Sequence, residues 1–270
     1  MRIALIGYGK MGAALLSQWL AVAPARFPDH RFVVIDPAIE GCPVPEPSGS
    51  RVAFLAEPPP VEECAFDLVI VAVKPQMLDE VLPLYAQRIA KGGFVASIAA
   101  GCSIARLRSL AGGVPAVRIM PNLPAAIGAG VSGLCADLSV SEAQRGTVEG
   151  LMRAVGTVLW VQDEDRLDRL TAVAGSGPGY VFELARSYVE AARALGFDEG
   201  EARLLVLGTL QGTIAMARQS DMALEELRAS VTSKGGTTAA GLSALNGDGS
   251  LDSLLRATLD AAYARAVELR

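Results

Sequence analysis

The sequence has little of what proteins use to hold metals, cross membranes or bind nucleic acids. His30 is its single histidine. Its four cysteines, Cys42, Cys64, Cys102 and Cys135, stand far apart, with no pair at metal-ligand or redox spacing. A structural zinc site and a disulfide framework are therefore not expected, and neither is any other metal; reduced thiols in a cytoplasmic protein are. Aromatic residues make up only 5% of the chain while hydrophobic residues reach 51%, so the core has to be aliphatic and alanine-rich. The net charge is −5 with no cluster of basic residues, which argues against a nucleic-acid partner. The most apolar run, residues 204–217, is too short to span a bilayer. Charge and glycine interrupt the N-terminal residues too early for a secretory signal.

What is present begins at once. The aliphatic run Arg2-Ile3-Ala4-Leu5-Ile6 leads directly into Gly7-Tyr8-Gly9-Lys10-Met11-Gly12, followed by a helical pattern from Ala13 to Leu20. Strand, G-x-G-x-x-G and helix in that order predict a dinucleotide site. Gly7 makes the tight turn, Gly9 lets a pyrophosphate touch the backbone, and Gly12 lets helix and strand pack closely. The bland alternative is a glycine-rich turn without a ligand. A second aliphatic run, residues 32–35, ends in Asp36. An acid there accepts from the adenosine ribose hydroxyls and repels a 2′-phosphate, which favours NADH over NADPH; otherwise it only caps a turn with Pro37. Residues 37–60 hold Pro37, Pro43, Pro45, Pro47, Pro58, Pro59 and Pro60, so the crossover there is expected to be a short helix or a loop, with a third strand within residues 51–55.

From Asp67, residues 68–73 form an unbroken apolar run, the pattern of a parallel strand buried on both faces. Val73-Lys74-Pro75-Gln76 ends it. Lys74 stands at the carboxyl end of a central strand, where open α/β sheets bind ligands, or is a solvated lysine on a turn. Further strands are expected over residues 94–98, 116–120, 130–136 and 156–161. The strand at 116–120 runs into Pro121-Asn122-Leu123-Pro124-Ala125, and the Asn122 amide suits a nicotinamide carboxamide or a ribose.

From Asp163 onwards the sequence reads as helices only. The fold class is α/β: a Rossmann-type dinucleotide-binding domain over residues 1–162, then an all-helical domain over residues 163–270. Gly175-Ser176-Gly177-Pro178-Gly179-Tyr180 interrupts the first helix, and Pro178 starts the next, which stops at Gly196. Asp198 and Glu201 read as a capping box, and Asp221 as the cap of a later helix. Residues 204–214 are apolar nearly all round, with Gly208 and Gly212 on one face. Such a helix needs cover on several sides, which points to a homodimer built on it, the alternative being the central helix of a monomer.

The most informative stretch is Val231-Thr232-Ser233-Lys234-Gly235-Gly236-Thr237-Thr238, with a helix after it. Hydroxyls and two glycines at a helix start offer unpaired N–H groups and the positive end of the dipole to an anion such as a carboxylate, although an ordinary Ser or Thr N-cap reads similarly. The string resembles the signature of the pyrroline-5-carboxylate reductases, with Lys234 where the family usually has proline. Four other segments resemble the family in order: the glycine motif, V-K-P-Q at 73–76, M-P-N-x-P-A at 120–125 and G-S-G-P-G-Y at 175–180. The resemblance implies reduction of 1-pyrroline-5-carboxylate to L-proline by NADH or NADPH, the last step of proline synthesis, in a homodimer that in the family often joins larger rings. It also implies cofactor contacts from Gly7, Tyr8, Gly9, Lys10, Met11, Gly12, Asp36, Val73, Lys74, Pro75 and Asn122. Thr238 would hydrogen-bond the imine nitrogen, while Ser233, Gly235, Gly236 and Thr237 would hold the substrate carboxylate. One rival is a reductase of another cyclic imino acid. A 3-hydroxyacid dehydrogenase-like enzyme needs a lysine early in the helical domain, and residues 180–195 contain none. A non-catalytic nucleotide sensor would have no use for Ser233–Thr238.

Overall fold

The computed structural model describes residues 1–39, 51–63 and 65–270. Cys42, Cys64 and residues 40–50 of the proline-rich stretch lie outside the described residues. Among the described residues, eight strands form one sheet: β1 (Arg2–Ile6), β2 (Arg31–Ile35), β3 (Val52–Leu55), β4 (Phe66–Val71), β5 (Ile89–Ser97), β6 (Ala116–Met120), β7 (Gly130–Ala136) and β8 (Gly156–Trp160). Their order is β3-β2-β1-β4-β5-β6-β7-β8. Every neighbouring pair is parallel except β6–β7. The aliphatic runs of β1, β2 and β4 are buried almost throughout, as a parallel sheet covered on both faces requires.

Helices supply that cover. On one face α1 (Lys10–Arg26) and α4 (Glu142–Arg153) bury Leu15, Leu16, Trp19, Val148, Leu151 and Met152 against the sheet. Trp19 is the joint of this layer. Its ring stacks on Phe32 with centroids 5.8 Å apart, and its indole N–H donates to the Leu151 carbonyl at 2.9 Å. A buried indole needs such a partner, and here it ties α1, β2 and α4 together. On the other face, the short α2 (Leu78–Val81) and a 3-10 segment after it contribute Leu78, Leu82 and Tyr85; α3 (Ile104–Leu110) contributes Ile104 and Leu107. The Ser141–Gln144 capping box opens α4.

The chain divides into two compact units, residues 1–176 with 262–270, and residues 177–261. The division falls later than the change of character at Asp163. The reason is α5 (Glu164–Leu170), whose Leu167 and Leu170 pack on β7. A Cβ on Gly133 would come within 2.7 Å of Leu170 and 2.8 Å of Leu167. The second unit contains α6 (Gly177–Ala194), α7 (Glu199–Gln219), α8 (Leu224–Ser230), α9 (Thr237–Asn246) and most of α10 (Ser250–Leu269). The last turns of α10 return to the first unit. There the Tyr263 hydroxyl donates to Asp165, and the Arg169 guanidinium lies 4.8 Å from the Tyr263 ring. Gly196 takes φ +103 and ends α6, and the Asp198–Glu201 capping box opens α7, as the sequence implies. Asp221 does not cap α8; that helix starts one residue after Ala223, whose N–H donates to Glu226 Oε2 at 3.0 Å.

The second unit buries little of its own. Its cluster is Ala192, Ala202 and Val206, with Val189 and Leu210 beside them. On α7, Leu204 is 75% exposed and Met216 66%. No helix of the described residues is long and apolar enough to cross a membrane.

Burial pushes the thiols of Cys102 and Cys135 up to about 11. Thiolate being the reactive form, both should resist a maleimide at pH 8 in the native protein and react once urea unfolds it. Peptide mapping by mass spectrometry reads this directly; rapid native labelling of either residue would show that its side of the sheet is open.

Candidate active site

The strand order reverses between β1 and β4, because β2 leaves on one side of β1 and β4 lies on the other. Ligands of open α/β sheets settle in the crevice outside the carboxyl ends at such a point. Here that crevice encloses about 280 Å³ and is lined by Gly7, Gly9, Asp36, Val73 and Lys74, among others. The backbones beneath it are crowded. Gly7 adopts φ +99, and a Cβ on it would lie 2.8 Å from the Ala72 carbonyl oxygen; a Cβ on Gly12 would fall on the Gly7 carbonyl. The Gly7 N–H donates to the Ile35 carbonyl at 2.9 Å, and the Ala72 N–H to the Ile6 carbonyl at 2.7 Å. Gly9 differs. A Cβ there would meet nothing within 4 Å. Two of the three motif glycines are thus required by the chain's own packing, and the middle one leaves space at the start of α1 that the fold does not use. This is a cradle that fits a pyrophosphate.

Asp36 stands at the end of β2 and serves the fold as well as the crevice. Its Oδ2 accepts from the Tyr8 N–H at 2.6 Å and its Oδ1 from the Ala38 N–H at 2.8 Å. It therefore caps the turn at Pro37 and holds the glycine loop, with its carboxylate on the crevice wall. Tyr8 is buried, edge-on to Phe54, and does not line the crevice. Lys10 and Met11 begin α1, the first exposed and the second half-buried. Pro75 opens a 3-10 turn and presets Lys74 in an extended conformation at φ −62 and ψ 146. Asn122 is only 7% exposed. Its Oδ1 accepts from the Val131 N–H at 2.8 Å and its Nδ2 donates to the Ala174 carbonyl at 3.0 Å.

The remaining site residues lie in the second unit. Ser233–Gly236 is a tight turn closed by the Gly236 N–H donating to the Ser233 carbonyl at 3.0 Å, with Gly235 at φ +72. A positive φ at the third position and a negative one at Lys234 make it a type II turn. α9 starts at Thr237 with Gly236 as its N-cap, and no side chain caps it. A Cβ on Gly236 would fall on the Ser233 hydroxyl. Serine and threonine are therefore not acting here as an ordinary cap: the helix start is glycine, with the Ser233 hydroxyl over it and exposed Thr237 and Thr238 behind it.

Residues 164–269 match the model described as pyrroline-5-carboxylate reductase dimerisation, and residues 2–101 the one described as NADP oxidoreductase coenzyme F420-dependent. The chain is 36% identical to the pyrroline-5-carboxylate reductase of Pseudomonas aeruginosa over 269 residues, covering 99% of this chain and 96% of that one. The chain belongs to the pyrroline-5-carboxylate reductase family. The reductase of Mycobacterium leprae is 35% identical, covering 100% of this chain and 97% of its own. Among solved structures, a pyrroline-5-carboxylate reductase from Coxiella burnetii superposes with a TM-score of 0.87 at 31% identity, covering 99% of this chain and 97% of that one. The Plasmodium falciparum pyrroline carboxylate reductase, solved with NADP bound, has the same fold, with a TM-score of 0.81 at 22% identity over 100% of this chain and 99% of that one.

Sequence reasoning missed one wall of the crevice, formed by Met77, Val81, Leu84 and Tyr85. Their spacing is helical, but Pro75 and Pro83 hide it, and the segment is built of 3-10 turns around one short helix. Burial pushes the Tyr85 phenol up to about 12, so it stays neutral beside the crevice.

Two outcomes follow from this geometry. Gly12→Ala should destabilise the fold by about 1–3 kcal/mol through overpacking. Gly9→Ala should leave urea unfolding within about 0.5 kcal/mol and still weaken NADH binding at least tenfold, about 1.4 kcal/mol or more. Unchanged NADH affinity in Gly9→Ala would remove the cradle. At the turn, Lys234→Pro fits the second position of a type II turn and should stabilise the protein by about 0.4–1 kcal/mol. A thermal melt measures it, and a lower midpoint would contradict the assigned turn.

Proposed function

We propose that this chain reduces the C=N bond of 1-pyrroline-5-carboxylate to give L-proline, with hydride supplied by a bound reduced nicotinamide dinucleotide, NADH in preference to NADPH. The observation that carries the reading is the glycine-capped start of α9. An uncapped helix start leaves N–H groups and a positive dipole end for a carboxylate, and the family to which the chain belongs acts on one.

The residues divide the work. Gly7, Tyr8, Gly9, Lys10, Met11 and Gly12 form the loop and helix start that hold the pyrophosphate. Asp36 takes the adenosine ribose hydroxyls, and its negative charge disfavours a 2′-phosphate; that is the ground for NADH. Val73, Lys74 and Pro75 line the path towards the nicotinamide. Ser233, Gly235, Gly236 and Thr237 hold the substrate carboxylate. The Thr238 hydroxyl hydrogen-bonds the imine nitrogen and keeps it oriented while that nitrogen gains its proton from solvent or from a hydroxyl that solvent reprotonates. The protein supplies orientation and charge and the cofactor the difficult chemistry, which accords with a chain of one histidine.

The enzyme is a cytoplasmic homodimer. Support for the dimer comes from residues 204–214 of α7, which are apolar nearly all round and mostly exposed. A Cβ on Gly208 or Gly212 would meet nothing within 4 Å, so neither glycine serves the chain's own packing. A second copy seated on this face gives both a reason.

Nicotinamide absorbance, followed with pyrroline-5-carboxylate and either cofactor, tests the reading. Turnover should be faster with NADH, and Asp36→Ser should shift the preference towards NADPH. Thr238→Ala should lower kcat about a hundredfold. Wild-type turnover in Thr238→Ala would remove its role. Cofactor binding without any turnover would point to another imine or to a nucleotide sensor.

A further inference from the structure

The crevice at the reversal of strand order has a second wall besides the one made by Met77, Val81, Leu84 and Tyr85. It is a strap that leaves the edge strand β3 and brings Ala56 and Pro58 to the crevice. Its sequence is Ala56-Glu57-Pro58-Pro59-Pro60. Three prolines in succession have no N–H to donate, so this part of the backbone is held through its carbonyls.

Hydrogen bonds hold the strap at two places. At its near end the Asp36 N–H donates to the Leu55 carbonyl at 3.1 Å, so the strap starts beside the carboxylate proposed for the adenosine ribose. At its far end the Arg88 Nε donates to the Pro59 carbonyl at 2.7 Å. The same guanidinium donates through Nη1 to the Leu84 carbonyl, which belongs to the first wall. Arg88 is half-buried and is the last residue of the 3-10 segment Leu82–Arg88 that carries Leu84 and Tyr85. Hydrogen bonds from an ionised donor are the stronger kind. One side chain therefore has an arm on each wall. Among the described residues that line the crevice, Arg88 is absent. It touches both walls without facing the space between them.

That space is lined by the apolar side chains of Ala56, Pro58, Met77, Val81 and Leu84. Such a slot offers a flat aromatic base contact rather than hydrogen bonds. Contact of this kind is sensitive to distance: a gap of about 0.5–1 Å forfeits about a quarter to a half of it. The separation of the walls then decides the affinity, and a strap that must first be ordered weakens binding by the cost of ordering it.

We propose that Arg88 is a positioning residue for the cofactor: its guanidinium joins the proline strap to the 3-10 segment and so sets the width of the crevice that takes the adenosine half of the dinucleotide. The proposal rests on the reading of the crevice as a dinucleotide site. It gives Arg88 and Asp36 different tasks. Asp36 discriminates between the two cofactors, whereas Arg88 serves NADH and NADPH alike. A guanidinium that met a 2′-phosphate directly would serve NADPH alone.

Two variants test this. Arg88→Met keeps the apolar stem and loses every donor, and Arg88→Lys keeps a charged donor. Calorimetric titration gives the dissociation constants of NADH, NADPH and ADP-ribose. Hydrogen exchange in the unliganded protein reads the order of the strap at the Ala56, Glu57 and Val61 N–H groups. Arg88→Met should raise all three dissociation constants by one common factor of about five to twenty, as when the ordered strap falls to about a tenth of the population. It should speed exchange at those three groups and leave kcat at saturating NADH within about twofold. Arg88→Lys should recover most of the affinity. Unchanged affinities in Arg88→Met would overturn the proposal, and so would a loss confined to NADPH, which marks direct contact with the phosphate. If the wild-type protein binds none of the three ligands, the dinucleotide reading of the crevice fails. The exchange rates then still decide the clamp, and rates unchanged in Arg88→Met would refute it.

Discussion

The structure depends on one close approach, that of the β1–α1 turn to the end of β4. The Ala72 carbonyl sits where Gly7 would carry a side chain, and the Gly7 carbonyl where Gly12 would. No residue with a Cβ satisfies both positions with the backbones unmoved. This closeness brings the carboxyl ends of β1 and β4 level, places Asp36 beside Tyr8, and opens the crevice at the reversal of strand order. The hydrophobic layers on either side of the sheet stabilise the arrangement but do not choose it.

Much of this is legible in the sequence because it is local. A strand buried on both faces is an aliphatic run, and β1, β2 and β4 read largely as such. The glycine loop, the capping box at Asp198 and the αL stop at Gly196 each need only a few neighbouring residues. What the sequence hides is the identity of a distant partner. The pattern of Leu167 and Leu170 announces an amphipathic helix, but not that the surface it covers is Gly133 of the sheet; hence the boundary between units lies later than the change from strands to helices. Asn122 looks like a free amide at a strand end, and nothing near it in sequence shows that Ala174 and Val131 claim it.

The second unit shows a different economy. Its own core is three small residues and two partly buried neighbours, too little for an independent domain by the usual relation of size to buried surface. The same unit carries the Ser233–Gly236 turn proposed to hold the substrate, and that turn is made chiefly of backbone. Ser233 occupies the space over Gly236, Gly235 supplies the left-handed position, and α9 begins without a side-chain cap. Sites of this kind need few ionisable groups. They need their N–H groups to stay where the fold puts them.

The glycines separate two kinds of constraint. At Gly7, Gly12, Gly133 and Gly236 a methyl group would collide with this chain, so glycine is explained by the fold. At Gly9, Gly208 and Gly212 it would meet open space, and none of the three adopts a left-handed backbone. At those positions neither packing nor conformation accounts for the absence of a side chain, and in the helix α7 glycine is even unfavourable. An explanation from outside the chain is something that approaches the backbone closely. For Gly9, at a helix start in a crevice, an anionic group of a dinucleotide fits. For Gly208 and Gly212, four apart on an apolar helix, another helix fits. At these three positions the open space agrees with the places proposed for the cofactor and for a second copy of the chain.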